Sequence, residues 1–422
     1  MKFDDHAAKG ADPRGGEPSY FSLHTSERIM VTLGIYIQVP FCASKCSYCN
    51  FSSRVEPASV FARYCGALEH EIERLPAFYE GRGIDRGLLS LPVNTLYVGG
   101  GTPSLLGAER LEQVVKALPR RFEFWCPLEF TLEVTPGTAD AVFLTKARCL
   151  GVNRLSIGTQ TFDDQELRTV GRLHSAVEAE ELVRQARDVG FANLSLDLIV
   201  GLPLQTETSW RRTLQTAARL KPEHLSVYIF EIDEKSRLGR EVVHGGTRYH
   251  AAAVPGEEFM AEAYEIARAF LAQEGYTQYE ISNFALPGYE SRHNRKYWQL
   301  APYVGLGAGA HSFDGAHRWA NETAVQTYAE KLGRDDSPIA EFRSLSREEQ
   351  LEEFFFLGLR QTEGVDLASA RHRWGQELID RWQERIGTLI VGGLLKKTGD
   401  NIRLGERAYL VSNEVFQEFV TA

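Results

Sequence analysis

Short runs of residues typical of β-strands recur along the first half of the chain. They read GIYIQVP, TLYVGGGTP, EFTLEVTP, RLSIGTQTF, NLSLDLIVGLP and HLSVYIFEI. Between them lie stretches with apolar residues every three or four positions, the period of a helix. These stretches are VFARYCGALEHEIERL, AERLEQVVKAL, ADAVFLTKARCLG, AVEAEELVRQARDVG and TSWRRTLQTAARL. Strands that alternate with helices indicate right-handed crossovers and a parallel sheet covered by helices, so we predict an α/β fold.

Six strand–helix units would close naturally into a partial (β/α)6 TIM-like barrel, whose sites gather at the carboxyl ends of the strands. Polar or glycine residues stand at five of these strand ends: Cys42, Cys46 and Cys49, then Gly99 to Thr102, Glu133, Gln160 and Asp197. One such residue is weak evidence, because polar residues often end a strand. Their joint placement predicts a site at this rim.

The pattern changes in the second half of the chain. An amphipathic helix, PGEEFMAEAYEIARAFLAQEGY, precedes the stretch YEISNFALPGYESRHNRKYWQLAPYVGLGAGAHSF. Helices such as REEQLEEFFFLGLRQ and ELIDRWQERIGTLIVGG follow, and GLLKKTGDNIRLGERAYLV predicts a hairpin with a Gly-Asp-Asn turn. We therefore expect a flexible tail at 1–32, a barrel at 33–245, a barrel extension at 246–330 and a helical, winged-helix-like C-terminal domain at 331–422.

Composition and charge exclude several classes of protein. The chain is 43% hydrophobic and 25% charged, which is ordinary for a globular protein and argues against general disorder. A net charge of -10 argues against nucleic acid as the main partner. Because neither a secretory signal nor a run of about 20 apolar residues is present, we expect a cytoplasmic protein that does not span a membrane, with peripheral membrane contact left open.

Three of the six cysteines, Cys42, Cys46 and Cys49, fall within eight residues directly after the first strand. Their spacing also fits one stripe of a helix, but Pro40 and the preceding strand argue against a helix. A zinc site would need a fourth ligand nearby, and none is offered. Three thiolates on one loop favour an iron–sulfur cluster. The remaining cysteines, Cys65, Cys126 and Cys149, are expected to be small buried hydrophobes.

The CxxxCxxC loop after the first strand resembles that of the radical S-adenosylmethionine superfamily, from about Gly34 to the C-terminus. The resemblance implies that Cys42, Cys46 and Cys49 hold a [4Fe-4S] cluster with one iron free of protein ligands. S-adenosyl-L-methionine would chelate that iron through its amino and carboxylate groups. An electron donor for the cluster is implied as well, because the superfamily cleaves the sulfonium with an electron from the reduced cluster.

The same resemblance gives further residues contacts with S-adenosylmethionine: Tyr36, Tyr48, Gly100, Gly101, Thr102, Glu133, Gln160, Arg172 and Asp197. Carboxylates suit the amine and ribose hydroxyls of this ligand, and Arg172 suits its carboxylate. The segment GGGTP is equally explained as a turn between a strand and a helix. Asp197 could likewise cap the turn after its strand.

Two features indicate a branch of the superfamily. Coproporphyrinogen dehydrogenases carry CxxxCxxCxC, whereas Phe51 occupies the fourth cysteine position here, as in HemW-type haem chaperones. The stretch HNRKYW also resembles the HNxxYW motif of those chaperones, which implies a haem site at His293, Asn294, Tyr297 and Trp298. From the residues alone a histidine beside aromatic side chains is more often a packing residue. His311, in GAGAHSF, is a second candidate ligand of the haem iron.

Two functions from different classes remain open. One is a haem chaperone that delivers haem to an acceptor haemoprotein, and the other is an oxygen-independent coproporphyrinogen III dehydrogenase. The missing fourth cysteine favours the chaperone, as does the lack of a YTSYP-like stretch before Gly34. A radical enzyme for another tetrapyrrole is a third alternative. We name no catalytic residue, leave enzymatic activity undecided, and expect a monomer or a dimer.

Overall fold

The predicted alternation of strands and helices is present in the structure, a computed structural model that describes residues 31–420. The predicted tail at 1–32 lies outside the described residues, except for its last two positions. The six parallel strands are β1 (Leu33–Val39), β2 (Val93–Gly100), β3 (Phe124–Val134), β4 (Arg154–Gln160), β5 (Leu194–Val200) and β6 (His224–Ile229). The sequence prediction of six strands and an α/β fold is therefore confirmed.

The helices of this half are α1 (Ala58–Tyr79), α2 (Ala108–Ala117), α3 (Ala141–Cys149), α4 (Asp164–Thr169), α5 (Ala176–Asp188), α6 (Glu207–Arg219), α7 (Arg237–Val243) and α8 (Glu257–Gln273). Short 3-10 helices lie at Arg86–Ser90, Pro103–Leu106 and Leu118–Arg120. Several helices begin at a side-chain cap that satisfies free backbone amides, as Ser175 and Thr206 do for α5 and α6. Across residues 31–420, none of the helices combines the length and apolar composition needed to cross a lipid bilayer.

The strands separate an apolar outer face from a polar inner face, because successive side chains of a strand point to opposite sides. In β1, Leu33, Ile35 and Ile37 are fully buried within the main hydrophobic core. The residues between them are Gly34, Tyr36 and Gln38. The inner positions of the other strands include Thr95, Tyr97, Glu129, Glu133, Arg154, Ser156, Ser195, Asp197, His224 and Ser226. The barrel interior is therefore a polar chamber, and the core lies outside it.

Both edges of the parallel sheet are extended by short strands that the sequence did not predict. On one side β7 (Thr277–Gln278) and β8 (Asn283–Ala285) follow β6. On the other side β9 (Tyr303–Leu306) pairs in parallel with β1, and β10 (His311–Phe313), β11 (His317–Asn321) and β12 (Ile339–Ser344) continue antiparallel. The sheet order is β12-β11-β10-β9-β1-β2-β3-β4-β5-β6-β8-β7, so the barrel is open, as predicted.

The remaining elements are α9 (Arg292–Trp298), α10 (Val325–Gly333), α11 (Arg347–Gly358), β13 (Val365–Asp366), α12 (Leu367–Trp374), α13 (Gln376–Asp380), α14 (Gln383–Val391), β14 (Leu395–Thr398), β15 (Asn401–Leu404) and α15 (Ser412–Gln417). The predicted hairpin is confirmed as β14 and β15, which turn at Gly399 with a φ of 60°. The single helix predicted for ELIDRWQERIGTLIVGG is wrong, because the chain breaks between α13 and α14. The boundary at residue 330 stays a prediction, although β12 still pairs with the main sheet beyond it.

The cysteines outside the loop differ from the prediction. Cys65 is fully buried in α1, as expected, but Cys126 and Cys149 are exposed. Cys149 is the last residue of α3, where the helix meets solvent. Cys126 lies in the outer part of β3, before the segment of that strand that is buried between its neighbours. The expectation of burial was therefore wrong for these two.

Candidate functional site

The three predicted cluster ligands lie on the loop that follows β1. Cys42, Cys46 and Cys49 are free thiols, each half-buried. The loop is not helical, so the three cysteines do not form a core stripe of a helix. Within residues 31–420, no three Cys, His, Asp or Glu side chains converge as the ligands of a single metal ion do. In a four-iron cubane each of three cysteine thiolates binds a different iron.

Cationic and polar groups surround the thiols of this loop. A guanidinium nitrogen of Arg172 lies 3.8 Å from the sulfur of Cys46, and the Thr102 hydroxyl lies 3.9 Å from the sulfur of Cys42. Burial raises the pKa of the Cys49 thiol, and the ammonium of Lys45 opposes that shift. Neighbouring cations favour the thiolate over the thiol, and the thiolate is the form that binds iron.

The glycine-rich segment after β2 supports the start of the cysteine loop. The amide of Gly101 donates to the carbonyl of Val39 at 2.7 Å, and the amide of Thr102 donates to the carbonyl of Phe41 at 2.7 Å. A Cβ on Gly101 would stand 2.4 Å from that Phe41 carbonyl oxygen, closer than real structures allow. Glycine is therefore required here by the close approach of two backbones.

Glu133 is held at the rim by two donors. Its carboxylate accepts from the Tyr97 hydroxyl and from the amide of Gly100, both at 2.9 Å. Burial raises the pKa of Glu133 to about 7. On β1, the Tyr36 hydroxyl donates to Gln38 at 2.8 Å, and the Tyr36 ring stacks on Tyr97 of β2 with 5.8 Å between centroids. A ligand that carries an ammonium group would meet a carboxylate already oriented toward it.

Gln160 and Arg172 lie together at the end of β4. Gln160 has a φ of 66°, a left-handed conformation that is uncommon for residues other than glycine and often marks a functional site. Arg172 donates to the carbonyl of Gly158, while its buried Nε has no hydrogen-bond partner among the described residues. That free donor, beside Cys46 and half-buried Tyr48, fits the carboxylate of an amino-acid ligand.

Asp197 faces the same interior from β5. The hydroxyl of Ser156 lies 3.3 Å and 3.4 Å from its two carboxylate oxygens. Burial raises the pKa of Asp197 to about 6. Its place on the inner face, rather than in the turn after β5, argues against a role as a turn cap. The structure thus places the cysteine loop, the glycine segment, Glu133 and Gln160 at the carboxyl end of the barrel, whereas Tyr36 and Asp197 lie in the middle of their strands, so the prediction of a strand-end position is wrong for Asp197.

The HNRKYW segment lies at the opposite end of the barrel. It forms α9, whose first amides, those of Arg292 and His293, donate to the two carboxylate oxygens of Glu129 at 2.9 Å. Glu129 pairs with Thr95, and Thr95 pairs with Gly34 near the start of β1. Because Gly34 and Thr95 lie near the beginning of β1 and β2, α9 closes the amino-terminal mouth of the barrel. The structure therefore does not bring this segment next to the cysteine loop.

His293 is buried inside that mouth, with only 1% of its surface exposed. Its Nδ1 lies 2.9 Å from the Thr95 hydroxyl and its Nε2 lies 2.9 Å from the Tyr297 hydroxyl. Burial lowers the pKa of His293 to about 3, so the imidazole is neutral. The ring lies 5.2 Å from that of Tyr97 and 6.3 Å from that of Tyr36. Neither ring nitrogen is free for a metal in this arrangement.

The other candidate haem residues occupy different surroundings. Trp298 is half-buried, with its ring 6.2 Å from that of Tyr279 and 6.0 Å below the guanidinium of Arg360. Asn294 is half-buried on α9. His311 is exposed at the start of β10, beside the carboxyl end of β9. His311 and His293 are thus separate positions and do not face one cleft.

Sequence reasoning missed the remaining inner-face residues, among them Tyr97, Arg154, Ser156, His224 and Ser226. Each alternates with a buried apolar residue of its strand, as Arg154 and Ser156 do with Leu155. This period of two was visible in the sequence and would have identified them as one polar surface.

Comparison with known proteins gives consistent results. Residues 36–217 match the model of the radical SAM superfamily, and residues 345–411 match that of the HemN C-terminal domain. The chain is 35% identical to heme chaperone HemW of Bacillus subtilis over 91% of this chain and 98% of that protein. It is 33% identical to heme chaperone HemW of Escherichia coli over 66% of this chain and 69% of that protein.

A solved structure shares the fold. The coproporphyrinogen III oxidase HemN of Escherichia coli, a radical SAM enzyme, superposes with a TM-score of 0.80 at 25% identity, covering 93% of this chain and 90% of that one. A mitochondrial relative from Bos taurus, named radical S-adenosyl methionine domain-containing protein 1, is 34% identical over 78% of this chain and 74% of its own length. These likenesses confirm the predicted fold class.

Proposed function

The chain belongs to the radical SAM superfamily and, within it, to the HemW family of heme chaperones, and on this basis we propose that it binds haem and transfers it to an acceptor haemoprotein. The observation that carries the proposal is the 35% identity to a HemW protein across 98% of that protein. The proposed setting is the cytoplasm, without nucleic acid, as a monomer or a dimer.

In this proposal Cys42, Cys46 and Cys49 hold a [4Fe-4S] cluster, and an exchangeable S-adenosyl-L-methionine binds beside it. The cluster would supply one electron from an external donor and an open iron for the ligand. The chain's own residues orient that ligand. Its amine would face Glu133 and its carboxylate the free Nε of Arg172, whereas Tyr36, Tyr48, Gly100, Gly101, Thr102, Gln160 and Asp197 would line the rest of its site.

The proposed haem residues are His293, Asn294, Tyr297 and Trp298. Because both nitrogens of His293 are bonded, iron can bind Nε2 only after the Tyr297 hydroxyl leaves. Haem binding would therefore displace α9 from the mouth of the barrel. His311, which is exposed and needs no such movement, is the alternative iron ligand.

The second candidate function is that of a coproporphyrinogen III dehydrogenase, which the likeness to HemN favours. Phe51 argues against it. This side chain stands where that branch has its fourth cysteine, and 67% of its surface is exposed beside the cysteine loop. An exposed phenylalanine cannot serve as a ligand or a redox group, but it offers an apolar contact to a ligand or to a partner protein.

The experiment uses the full chain with its cluster reconstituted under anaerobic conditions. Haemin titration should give a saturable Soret band, and mixing with an apo-haemoprotein should move that band to the acceptor. Anaerobic incubation with coproporphyrinogen III, S-adenosylmethionine and a reductant should give no protoporphyrinogen IX. Absence of saturable haemin binding would overturn the chaperone proposal, and formation of protoporphyrinogen IX would establish the dehydrogenase instead.

A further inference from the structure

Arg154 is an arginine inside the barrel. It is the first residue of β4, pairs with Thr131 of β3 and lies on the same face of its strand as Ser156. Only 2% of its surface is exposed, which places it among the largest fully buried side chains of the described residues. Titratable groups on β3, β5 and β6 and on α9 interact with it, so the guanidinium lies in the middle of the polar interior.

This guanidinium has no hydrogen-bonded partner among the described residues. Its Nε is buried without a hydrogen bond, and Arg154 takes part in no hydrogen bond or ion pair within residues 31–420. An arginine stays charged in proteins, and buried charges are normally paired. Even the half-buried Arg318 has a carboxylate partner, since it pairs with Glu353 at 2.6 Å. An unpaired buried guanidinium therefore indicates a position that an anion fills.

The nearby carboxylates do not form a hydrogen bond or an ion pair with this guanidinium. Glu133 is held by Tyr97 and Gly100, and Asp197 is held by Ser156, and neither forms an ion pair with Arg154. Burial raises the pKa of Glu133 to about 7 and that of Asp197 to about 6, and the charge of Arg154 opposes both shifts without a hydrogen bond to either carboxyl.

Two histidines, His224 and His293, also lie within electrostatic range of Arg154, and an imidazole cannot supply a negative charge. Burial, together with the charge of Arg154, lowers the pKa of both His224 and His293. His293 belongs to the proposed haem segment, so Arg154 lies within electrostatic range of that segment as well as of Glu133 and Asp197. The guanidinium of Arg154 is a planar fork of N–H donors, which can bind a carboxylate through two parallel hydrogen bonds.

We propose that Arg154 binds a carboxylate in the barrel interior and that this carboxylate is a propionate of haem. The second part rests on the proposed function, because haem carries two propionates and the HNRKYW segment closes the same chamber. A small free carboxylate is the other source with the same chemistry. Arg154 is then a ligand-binding residue that the cysteine loop and the HNRKYW segment do not reveal.

The test compares haemin with haemin dimethyl ester, whose propionates are masked, on the full chain. We expect Arg154→Gln to weaken haemin binding at least 10-fold, with a smaller loss in Arg154→Lys, while the ester binds both variants and the wild type alike. Arg184→Gln, which removes an exposed arginine of α5, should bind haemin as the wild type does. Haemin affinity of Arg154→Gln within twofold of the wild type would overturn the proposal.

A second measurement separates this inference from the proposed function. Sodium propionate should raise the thermal midpoint of the wild type by mass action and leave that of Arg154→Gln unchanged, with propionamide as the uncharged control. If haemin does not bind but the propionate shift is present and lost in the variant, the chaperone proposal fails and the carboxylate site stands. If Arg154→Gln does not fold, equal affinities of the wild type for haemin and its ester would still overturn the propionate assignment.

Discussion

The hydroxyl of Tyr297 lies 2.9 Å from Nε2 of His293, one helical turn earlier on α9. With Thr95 on Nδ1, this bond leaves the imidazole fully engaged, neutral and buried. A haem iron must compete with Tyr297 for the same nitrogen. His293 is therefore not available to haem iron in this structure. Making its Nε2 available costs the free energy of about one buried hydrogen bond.

Tyr297→Phe should strengthen haemin binding if His293 is the iron ligand. The variant keeps the aromatic ring but removes the competing hydroxyl, so we expect an affinity gain of about 2- to 10-fold, the equivalent of one net hydrogen bond. His293→Ala should abolish the Soret shift. Both are measured by haemin titration of reconstituted protein.

The matched control for this prediction is His311→Ala, which removes the exposed alternative ligand and should leave the titration unchanged. The opposite pattern, with the band lost in His311→Ala and retained in His293→Ala, would transfer the ligand role to His311. It would also explain why His293 is so well buried, as a residue that fixes α9 in the barrel mouth.

Cys46→Ala should remove the iron–sulfur cluster. The three thiols are the only free cysteines on the loop after β1, and two of them cannot hold a cubane securely. We expect iron content and visible absorbance to fall close to those of the apoprotein. Cys149→Ala, which changes an exposed cysteine of α3, should keep the wild-type iron content. Equal iron in both variants would refute the ligand set.

The sequence predicted the six core strands and the place of the cysteine loop well, because each strand is an isolated apolar run and the loop follows the first of them directly. It did not predict β7 to β12, which are only two to six residues long and carry little periodicity. Such strands exist because neighbours already in the sheet offer free hydrogen-bonding groups. No local sequence pattern indicates where such free groups will be.

The position of α9 could not be predicted from the sequence either. Its amides are paired with Glu129, more than 160 residues earlier, and its histidine with Thr95. These contacts depend on tertiary structure alone. The inner face of the barrel could have been predicted, because Arg154, Ser156 and the inner residues of the other strands alternate with apolar residues in the sequence. Attention to that period of two would have identified the polar interior before any coordinates.

S-adenosylmethionine binding should depend on pH through Glu133. Its pKa is raised to about 7 by burial, so below pH 7 the carboxyl is increasingly protonated and loses its attraction for the ligand's ammonium group. We expect the affinity of reconstituted protein to fall as the pH decreases from 7.5 toward about 5.5, at about tenfold per pH unit once below the pKa. Calorimetric titration at several pH values measures this.

Glu133→Gln is the matched variant for that experiment, because the amide keeps the shape and still accepts from Tyr97 or Gly100. Its affinity should be low and nearly independent of pH over the same range. An unchanged pH profile in the variant would assign the proton to another group, of which Asp197, with a pKa of about 6, is the nearest candidate.

Gly101→Ala should disturb the cysteine loop from a distance. The new Cβ would stand 2.4 Å from the carbonyl oxygen of Phe41, which is backbone and cannot rotate away, so the loop base must shift. We expect a loss of about 1–3 kcal/mol in unfolding free energy, typical of overpacking, together with reduced iron content after reconstitution.

Gly66→Ala is the control, since that glycine lies on the exposed side of α1 with no atom within 4 Å. The change should stabilise the helix by about 0.5–1 kcal/mol without altering iron content. Normal cluster assembly in Gly101→Ala would mean that the contact between the glycine segment and Phe41 does not position the cysteines.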